Sequence, residues 1–303
     1  VLLYTSGTEG VSKGVMLSHG NLISNVHQVT QVFADVCEED RFFSVLPLHH
    51  VYEGTAGFLA PVSLGAEITY ARSLRSREMI EDLRDTRPTF FVVVPLLLEK
   101  MYQGILRRVE ELGAFKKIAF SFMKSLSAIS GGKLGKSLFK TVREQLGLDK
   151  VKYIVCGGAP LPRWLSKELE LMGFPILQGY GLSEASPVVS VNPPAKPRNE
   201  SVGKPLPGCE IKIENPDDEG IGEICVRGPD VMMGYYKNEE ETKKVLKDGW
   251  LYTGDMGKFD KDGYLYVTGR KKSVIITKGG KNIYPEELEN LLTKSPFIEE
   301  CVV

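Results

Sequence analysis

The sequence has few hydrophobic runs of any length. The longest apolar stretch in the 303 residues is 90–98, and Pro95 interrupts it. A helix needs about 20 apolar residues to span a bilayer, so we predict no membrane span. The first residues lack the pattern of a signal peptide, so we predict no secretory signal.

Cysteine is sparse and unpaired. The five cysteines are Cys37, Cys156, Cys209, Cys225 and Cys301, and none form a C-x-x-C pair. An odd number of scattered cysteines argues against a disulfide framework and against a zinc site. We therefore predict a reducing compartment, and a cytoplasmic location with peripheral membrane contact as an alternative.

The sequence also has almost no excess charge of one sign. It contains 38 Lys+Arg against 39 Asp+Glu, a formal net charge of -1. Without a general basic field, we predict no nucleic-acid partner. The 42% hydrophobic and 25% charged residues are typical of a globular protein, and the length suggests more than one domain.

Strand-like and helix-like segments alternate over the first 190 residues. We predict strands at 1–4, 42–46, 67–70, 90–94, 152–156 and 176–180. We predict helices at 19–33, with Ser18 as N-cap, and at 76–84, 95–112, 136–146 and 162–172. Such alternation indicates an α/β domain with a mostly parallel sheet.

A proline-rich segment at 192–197 ends this alternation, because X-Pro steps favour extended backbone. Short strands at 210–214 and 222–227, and a hairpin of 257–259 with 264–268, then predict a small β subdomain. A strand at 274–277, a turn at Gly279-Gly280 and a helix opened by Pro285 predict the start of another domain. The predicted division is 1–190, 191–268 and 269–303.

The segment from Met101 to Lys140 is locally basic and amphipathic. Eight Lys and Arg residues face two Glu residues, with apolar side chains interleaved. This pattern suits an anionic membrane surface or a polyphosphate, and it also suits a solvated helical face.

The first of four chemical motifs follows the opening strand. It combines hydroxyls, glycines and one lysine, at Thr5, Ser6, Gly7, Thr8, Gly10 and Lys13. Glycines let backbone N–H groups converge on an anion, while hydroxyls and a lysine add donors, so we predict a phosphate-binding loop. The spacing differs from the loop of P-loop NTPases, and a polar surface turn is the alternative.

Two further motifs follow predicted strands. Gly158 and Ala159 lie just after the strand 152–156, at the edge where open α/β sheets bind ligands, although a plain left-handed turn would also explain them. The next motif comprises Gln178, Gly179, Tyr180, Gly181, Ser183 and Glu184. Tyr180 suits stacking on a base, Ser183 a phosphate and Glu184 Mg²⁺, and the alternative is a buried Tyr with an exposed Glu.

The fourth motif contains Asp255 after a glycine and then Arg270 and Lys272 beyond the predicted hairpin. A carboxylate accepts hydrogen bonds from both hydroxyls of a ribose, and an arginine reaches the same sugar or its phosphate. Each piece alone is a common turn residue.

In this order, the four motifs and the segment 47–50 resemble the adenylate-forming superfamily of acyl-CoA synthetases, luciferases and nonribosomal-peptide adenylation domains. The match covers nearly the whole chain. The region between Pro95 and Gly157 and the segment 269–276 look most like long-chain fatty acyl-CoA synthetases. The resemblance implies an α/β core, a β-barrel-like subdomain, a hinge near Arg270 and the start of an α+β lid domain.

The resemblance also implies a ligase that uses ATP, Mg²⁺ and coenzyme A to convert a fatty acid to its CoA thioester. Thr5 and Glu184 would hold Mg²⁺, and the loop from Ser6 to Lys13 would clasp the β- and γ-phosphates. The remaining implied nucleotide contacts are Gly158, Ala159, Gln178, Gly179, Tyr180 and Gly181 near the adenine, Ser183 at the α-phosphate, Asp255 at the ribose, and Arg270 and Lys272 from the hinge.

By the same resemblance, His50 would stand at the mouth of the acyl pocket, with a surface histidine as the alternative. Members of the family have further sequence before the first motif and a complete lid domain, so we expect this chain to be a fragment with weak activity. Two other functions stay open. One is acyl transfer to a carrier protein or activation of another acid, and the other is a catalytically silent nucleotide-binding module. The oligomeric state is not predicted.

Overall fold

The computed structural model describes the chain except for residues 6–11, 277–281, 293–297 and 299–300. Its tertiary contacts define two compact units. The central unit is Phe33–Gln178, and the discontinuous unit combines Val1–Val32 with Gly179–Val303. The sequence-based boundaries after residues 190 and 268 stay a prediction.

The central unit is built on parallel strands with helices between them. Across the sheet, the strands are Glu67–Tyr70, Arg41–Ser44, Phe90–Val93, Tyr153–Cys156 and the first half of Ile176–Gly181. A π-helix spans Glu53–Leu59, and α-helices span Ala60–Leu64, Ser76–Thr86, Pro95–Glu111, Ala114–Ile129, Gly135–Leu138, Lys140–Gln145 and Arg163–Leu171. Neighbouring parallel strands need crossover connections, and helices usually supply them. The parallel strands with helices between them confirm the predicted α/β class.

The core of the central unit covers its sheet with apolar helix faces. All four residues of Phe90–Val93 are buried, as expected for a strand of a parallel sheet that is covered on both faces. Leu98, Leu165 and Leu169 from the surrounding helices are fully buried in the same cluster. This packing holds the carboxyl ends of the strands, where the predicted motif at Gly158 begins.

The discontinuous unit begins with an antiparallel sheet. Leu2–Thr5 pairs with Lys13–Met16, which also pairs with Gly234–Tyr235. The sequence placed the opening strand in the mostly parallel sheet, and this placement is wrong. The chain returns after a connection too short for a crossover, so the second strand has to run antiparallel. Helix His19–Val32 follows, and Oγ of Ser18 accepts a hydrogen bond from the Asn21 amide at 3.0 Å, as predicted for its cap.

A second antiparallel sheet forms the predicted β subdomain. Its strands are Glu210–Glu214, Gly222–Arg227, Trp250–Phe259, Leu246–Lys247 and Leu265–Arg270. Among the described residues these pairings form an open sheet rather than a closed barrel. The long strand Trp250–Phe259 pairs with Leu265–Arg270, and this pairing brings the fourth motif together.

Shorter elements complete the discontinuous unit. Val188–Val191 pairs with the end of Ile176–Gly181 and with Lys204–Pro205. The other elements are 3-10 turns at Ser183–Ala185 and Lys271–Ser273, α-helices at Glu239–Val245 and Pro285–Leu292, and paired strands Ile275–Ile276 and Asn282–Ile283. Pro285 opens its helix as predicted, whereas Gly279 and Gly280 lie outside the described residues.

One helical prediction was wrong, and one helix was not predicted. The predicted helix 136–146 is broken into Gly135–Leu138 and Lys140–Gln145. The buried Arg143 guanidinium donates to the carbonyl of Lys136, so this carbonyl is satisfied without a continuous helix. The helix Ala114–Ile129 was not predicted. Within the described ranges, no helix is both long and apolar enough to cross a membrane.

Candidate active site

The first motif joins two antiparallel strands. Thr5 pairs with Lys13 across the hairpin, and Oγ1 of Thr5 donates to the Lys13 carbonyl at 3.5 Å. The hairpin therefore places the hydroxyl and the ammonium at the two ends of one loop. The predicted contacts Ser6, Gly7, Thr8 and Gly10 lie outside the described residues.

The Lys13 side chain lies between an anion and an aromatic ring. Its Nζ forms an ion pair with Glu241 and lies 5.3 Å from the ring centre of Tyr235. Glu241 lies in the first turn of Glu239–Val245 and is also paired with Lys244 at 2.5 Å. The hydrogen bonds from Lys13 and Lys244 lower the pKa of Glu241 to about 2, so this carboxylate is ionised at neutral pH. Sequence reasoning missed Glu241.

Tyr235 also contacts the carboxylate predicted to bind magnesium. Its hydroxyl donates to Oε1 of Glu184 at 2.9 Å, and the Glu184 carbonyl accepts from the Met232 amide at 2.8 Å. Burial, followed by the charge of Glu184, raises the pKa of Tyr235, which therefore stays protonated as a donor. Glu184 and Ser183 lie in the 3-10 turn directly after strand Ile176–Gly181. One tyrosine therefore joins the predicted magnesium carboxylate to the predicted phosphate lysine.

The third and fourth motifs meet at Asp255. The Tyr180 hydroxyl donates to Oδ2 of Asp255 at 2.6 Å, and Nε of Arg270 lies 2.8 Å from Oδ1. Burial, followed by the charge of Asp255, raises the pKa of Tyr180 well above its usual value. Asp255 and Arg270 are register partners on neighbouring strands, so the sheet itself brings this pair together.

A further carboxylate organises the turn before Asp255. Oε1 of Glu223 accepts from the Gly254 amide at 3.2 Å, and Oε2 lies 2.6 Å from Nζ of Lys271. Gly254 has φ of 73°, a conformation that favours glycine. Sequence reasoning missed Glu223, because an alternating strand gives no sign of which residue faces a distant turn. Lys272 follows on the exposed turn Lys271–Ser273.

In the central unit, the predicted Gly158 motif follows its strand. Gly158 has φ of 82° just beyond Tyr153–Cys156, and Gly158 and Ala159 are exposed. The adjacent Gly157 leaves room for Tyr52, because an added Cβ would lie 3.2 Å from the Tyr52 Cζ. Gln178 ends the central unit as a buried partner of Cys156.

The predicted acyl-pocket histidine lies before the π-helix of the central unit. His50 is exposed, and its ring centre lies 4.8 Å from that of His49. Three residues later, Glu53 is fully buried and accepts a hydrogen bond from the Ser44 hydroxyl. Burial raises the pKa of Glu53 to about 7, and the Ser44 hydrogen bond opposes that rise. Gly57 leaves room for the Glu53 carboxylate, since a Cβ at residue 57 would lie 2.3 Å from Oε1 of Glu53.

The described residues do not contain a cluster of three or more His, Cys, Asp or Glu that could hold a metal. Mg²⁺ is commonly held by one or two protein oxygens together with substrate phosphates. A single carboxylate at Glu184 and a hydroxyl at Thr5 fit that mode and do not fit a metal cage made by protein alone. The assignment of both residues to Mg²⁺ stays a prediction.

Comparison with known proteins places this chain in a class of nucleotide-binding enzymes. The profile of the family described as AMP-binding enzyme matches residues 1–236. The chain therefore belongs to the AMP-binding enzyme family, and the predicted resemblance is confirmed.

Among curated relatives, the chain is 36% identical to long chain acyl-CoA synthetase 7, peroxisomal, of Arabidopsis thaliana, over 100% of the chain and 45% of that protein. It is 34% identical to a long-chain-fatty-acid–CoA ligase of Bacillus subtilis (strain 168), over 100% of the chain and 49% of that protein. The chain thus spans about half the length of the curated relatives it matches.

Solved structures of CoA synthetases and related enzymes are also similar to this chain. The o-succinylbenzoate CoA synthetase of Bacillus subtilis, in complex with its acyl-adenylate intermediate, matches with TM-score 0.79 and 29% identity, over 100% of this chain and 55% of that one. ATP-bound MatB from Rhodopseudomonas palustris matches with TM-score 0.78 and 27% identity, over 100% of this chain and 54% of that one. The same Bacillus synthetase has also been solved with ATP and a magnesium ion.

Proposed function

We propose that the intact protein containing this chain activates a long-chain fatty acid in two half-reactions. A carboxylate oxygen of the acid attacks the α-phosphorus of ATP, and the bond to pyrophosphate breaks to give an acyl-adenylate. The thiolate of coenzyme A then attacks the acyl carbon, and the bond to AMP breaks to give the thioester.

The arrangement around Tyr235 carries this proposal. Its hydroxyl holds Glu184, and its ring lies near Nζ of Lys13, so a carboxylate and a cation share one support. A carboxylate approaching a triphosphate is repelled unless fixed donors and cations neutralise the developing charge. Lys13 supplies such a cation at the end of the first-motif loop, and its Glu241 partner is an anion that phosphate can replace.

Asp255 is the proposed ribose acceptor. An ionised carboxylate accepts hydrogen bonds from hydroxyls, and Tyr180 and Arg270 hold the two oxygens of Asp255 in place. Arg270 and Lys272 would contact the nucleotide phosphates as cations, and Ser183 would donate its hydroxyl to the α-phosphate. The roles of Gly158, Ala159, Gln178, Gly179, Gly181 and His50 stay predictions.

Glu184 and Thr5 are the residues that would hold Mg²⁺, with nucleotide phosphates as its other ligands. When bound, the ion supplies Lewis-acid stabilisation of phosphate charge. The Tyr235 hydroxyl donates a hydrogen bond to Glu184 and so fixes the orientation of this carboxylate.

The long-chain substrate is supported by sequence identity over the whole chain. Relatives named for long-chain acids are 31–36% identical, whereas the solved synthetase named for o-succinylbenzoate is 29% identical. Activation of another acid and transfer to a carrier protein are the competing outcomes of the test below. The cytoplasmic location and the weak activity of this chain alone stay predictions.

The test is a substrate screen with the intact protein. ATP–pyrophosphate exchange is measured with saturated fatty acids of increasing length and with aromatic acids, and thioester formation is measured with coenzyme A or acyl carrier protein as acceptor. We expect exchange with long-chain acids and a CoA thioester. Exchange with aromatic acids alone, or transfer only to carrier protein, would contradict the proposal.

The variant Asp255→Asn provides the matched site test. It should lower exchange, whereas Asp262→Asn, an exposed carboxylate on the hairpin of the same sheet, should leave exchange unchanged. Equal activity of wild type and Asp255→Asn would remove Asp255 from the proposed site.

A further inference from the structure

Helix Ala114–Ile129 of the central unit presents an apolar stripe to solvent. The stripe comprises Phe115, Ile118, Phe122, Leu126 and Ile129. The side chains of Phe115, Phe122 and Ile129 are 81%, 68% and 84% exposed. At 3.6 residues per turn, their spacings of three and four place all five side chains within an arc of about 80°. Scattered apolar side chains are normal on a surface, whereas a continuous stripe marks a contact site.

The other side of the same helix is already packed against the central unit. Phe120 is buried, and its ring stacks edge-on against Phe139 at 5.3 Å. The Ser127 hydroxyl donates to the Leu171 carbonyl at 2.7 Å. These contacts prevent the helix from rotating to bury its stripe, so the stripe faces outward in the folded unit.

A partly buried ion pair strengthens this orientation. Lys124 pairs with Glu168, which also accepts a hydrogen bond from the Tyr102 hydroxyl at 2.6 Å. Lys124 therefore contributes to anchoring the helix rather than to its outer surface.

The charge around the stripe identifies the chemistry of its partner. Residues 101–140 carry eight basic against two acidic side chains. Lys116, Lys133 and Lys136 are exposed. An apolar stripe on a segment with excess positive charge matches a surface that is apolar inside and anionic at its edge, and an anionic lipid bilayer is such a surface.

We propose that helix Ala114–Ile129 lies in the plane of an anionic membrane, with its stripe among the acyl chains and the exposed Lys116, Lys133 and Lys136 near the headgroups. The proposal rests on exposure and charge in the central unit and does not depend on the proposed catalytic activity. If that activity is also correct, the helix brings the enzyme to the phase in which fatty acids dissolve.

Vesicle flotation of the intact protein tests the proposal. Vesicles of phosphatidylcholine alone are compared with vesicles that also contain phosphatidylglycerol, at low and high salt. We expect binding to the anionic vesicles, weaker binding at high salt because ionic screening reduces the lysine contribution, and little binding to the neutral vesicles.

Matched variants then test the stripe itself. Each of Phe115→Ser and Phe122→Ser should lower the partition coefficient by about tenfold, the loss expected from one buried aromatic side chain. Leu74→Ser removes another strongly exposed apolar side chain of the central unit and should have no effect. Because the substituted side chains are exposed, the melting temperatures of all three variants should equal that of the wild type.

Three results would overturn the proposal. The first is absence of flotation with anionic vesicles, and the second is an equal loss for Leu74→Ser and Phe122→Ser. The third is an oligomer that dissociates on Phe122→Ser while vesicle binding stays absent, which would show that a second copy of the protein covers the stripe.

Discussion

The hydroxyl of Tyr180 lies 2.6 Å from Oδ2 of Asp255, although 75 residues separate the two in the chain. Arg270 contacts the other oxygen of the same carboxylate. Two motifs that look like ordinary turns in the sequence are therefore parts of one hydrogen-bonded group, held by the pairing of Trp250–Phe259 with Leu265–Arg270.

Tyr180→Phe tests the energy in this group. The substitution removes a donor to a buried carboxylate, and a hydrogen bond to a charged group contributes about 1.5–3 kcal/mol. We expect the free energy of unfolding, measured by urea denaturation, to fall by that amount. Tyr236→Phe, on a half-exposed ring of the same unit, should leave it unchanged. Equal stability of Tyr180→Phe and wild type would show that the hydrogen bond has no net effect.

Tyr235→Phe tests the support of Glu184. The variant keeps the ring near Lys13 but removes the hydroxyl that donates to Glu184. Removal of a partner that orients a metal ligand typically lowers metal affinity by about 10–100-fold. The Mg²⁺ concentration that gives half-maximal ATP–pyrophosphate exchange should therefore rise by that factor. Tyr266→Phe, whose hydroxyl contacts Asp260 instead, is the control. An unchanged midpoint for Tyr235→Phe would separate Tyr235 from magnesium binding.

Glu241→Gln tests the ion pair of Lys13. If nucleotide phosphates compete with Glu241 for the Lys13 ammonium, neutralising Glu241 should strengthen ATP binding. The expected gain is up to about fivefold for a partly exposed pair. AMP lacks the β- and γ-phosphates, so its affinity should not change. Calorimetric titration with both nucleotides checks this, with Glu240→Gln as the neighbouring control. Equal changes for ATP and AMP would place the effect elsewhere than at the outer phosphates.

Glu53→Gln tests a buried carboxyl of the central unit. Burial raises the pKa of Glu53 from 4.5 to about 7, so between these values the folded protein keeps a proton that the unfolded chain releases. The contribution of Glu53 to stability is thus present below about pH 4.5 and is lost as the pH rises to about 7. The loss is on the order of 3 kcal/mol.

Urea denaturation between pH 5 and pH 8 measures this difference. The glutamine cannot ionise, so Glu53→Gln should gain stability relative to the wild type as the pH rises through this window. Glu38→Gln, on an exposed side chain, should follow the wild type at every pH. A constant difference between Glu53→Gln and wild type would show that Glu53 does not titrate in this range.

Local sequence patterns predicted much of the secondary structure. The strands Glu67–Tyr70, Glu210–Glu214 and Gly222–Arg227 have the bounds predicted for them, because short apolar or alternating runs between turn residues specify strands locally. Helix Ala114–Ile129 was missed for the opposite reason. Its segment is amphipathic in sequence, but apolar side chains lie on both its packed and its exposed faces, so the sequence does not show which face meets the core or where the helix begins and ends.

The sequence by itself determined the family, the α/β class and the order of the motifs, since these depend on residue types and spacing along the chain. Only the tertiary structure decided which side chains meet. Glu241 and Lys13 are 228 residues apart, and Tyr235 and Glu184 are 51 residues apart. Their contacts follow from the pairing of Gly234–Tyr235 with Lys13–Met16, a long-range register that no local pattern specifies.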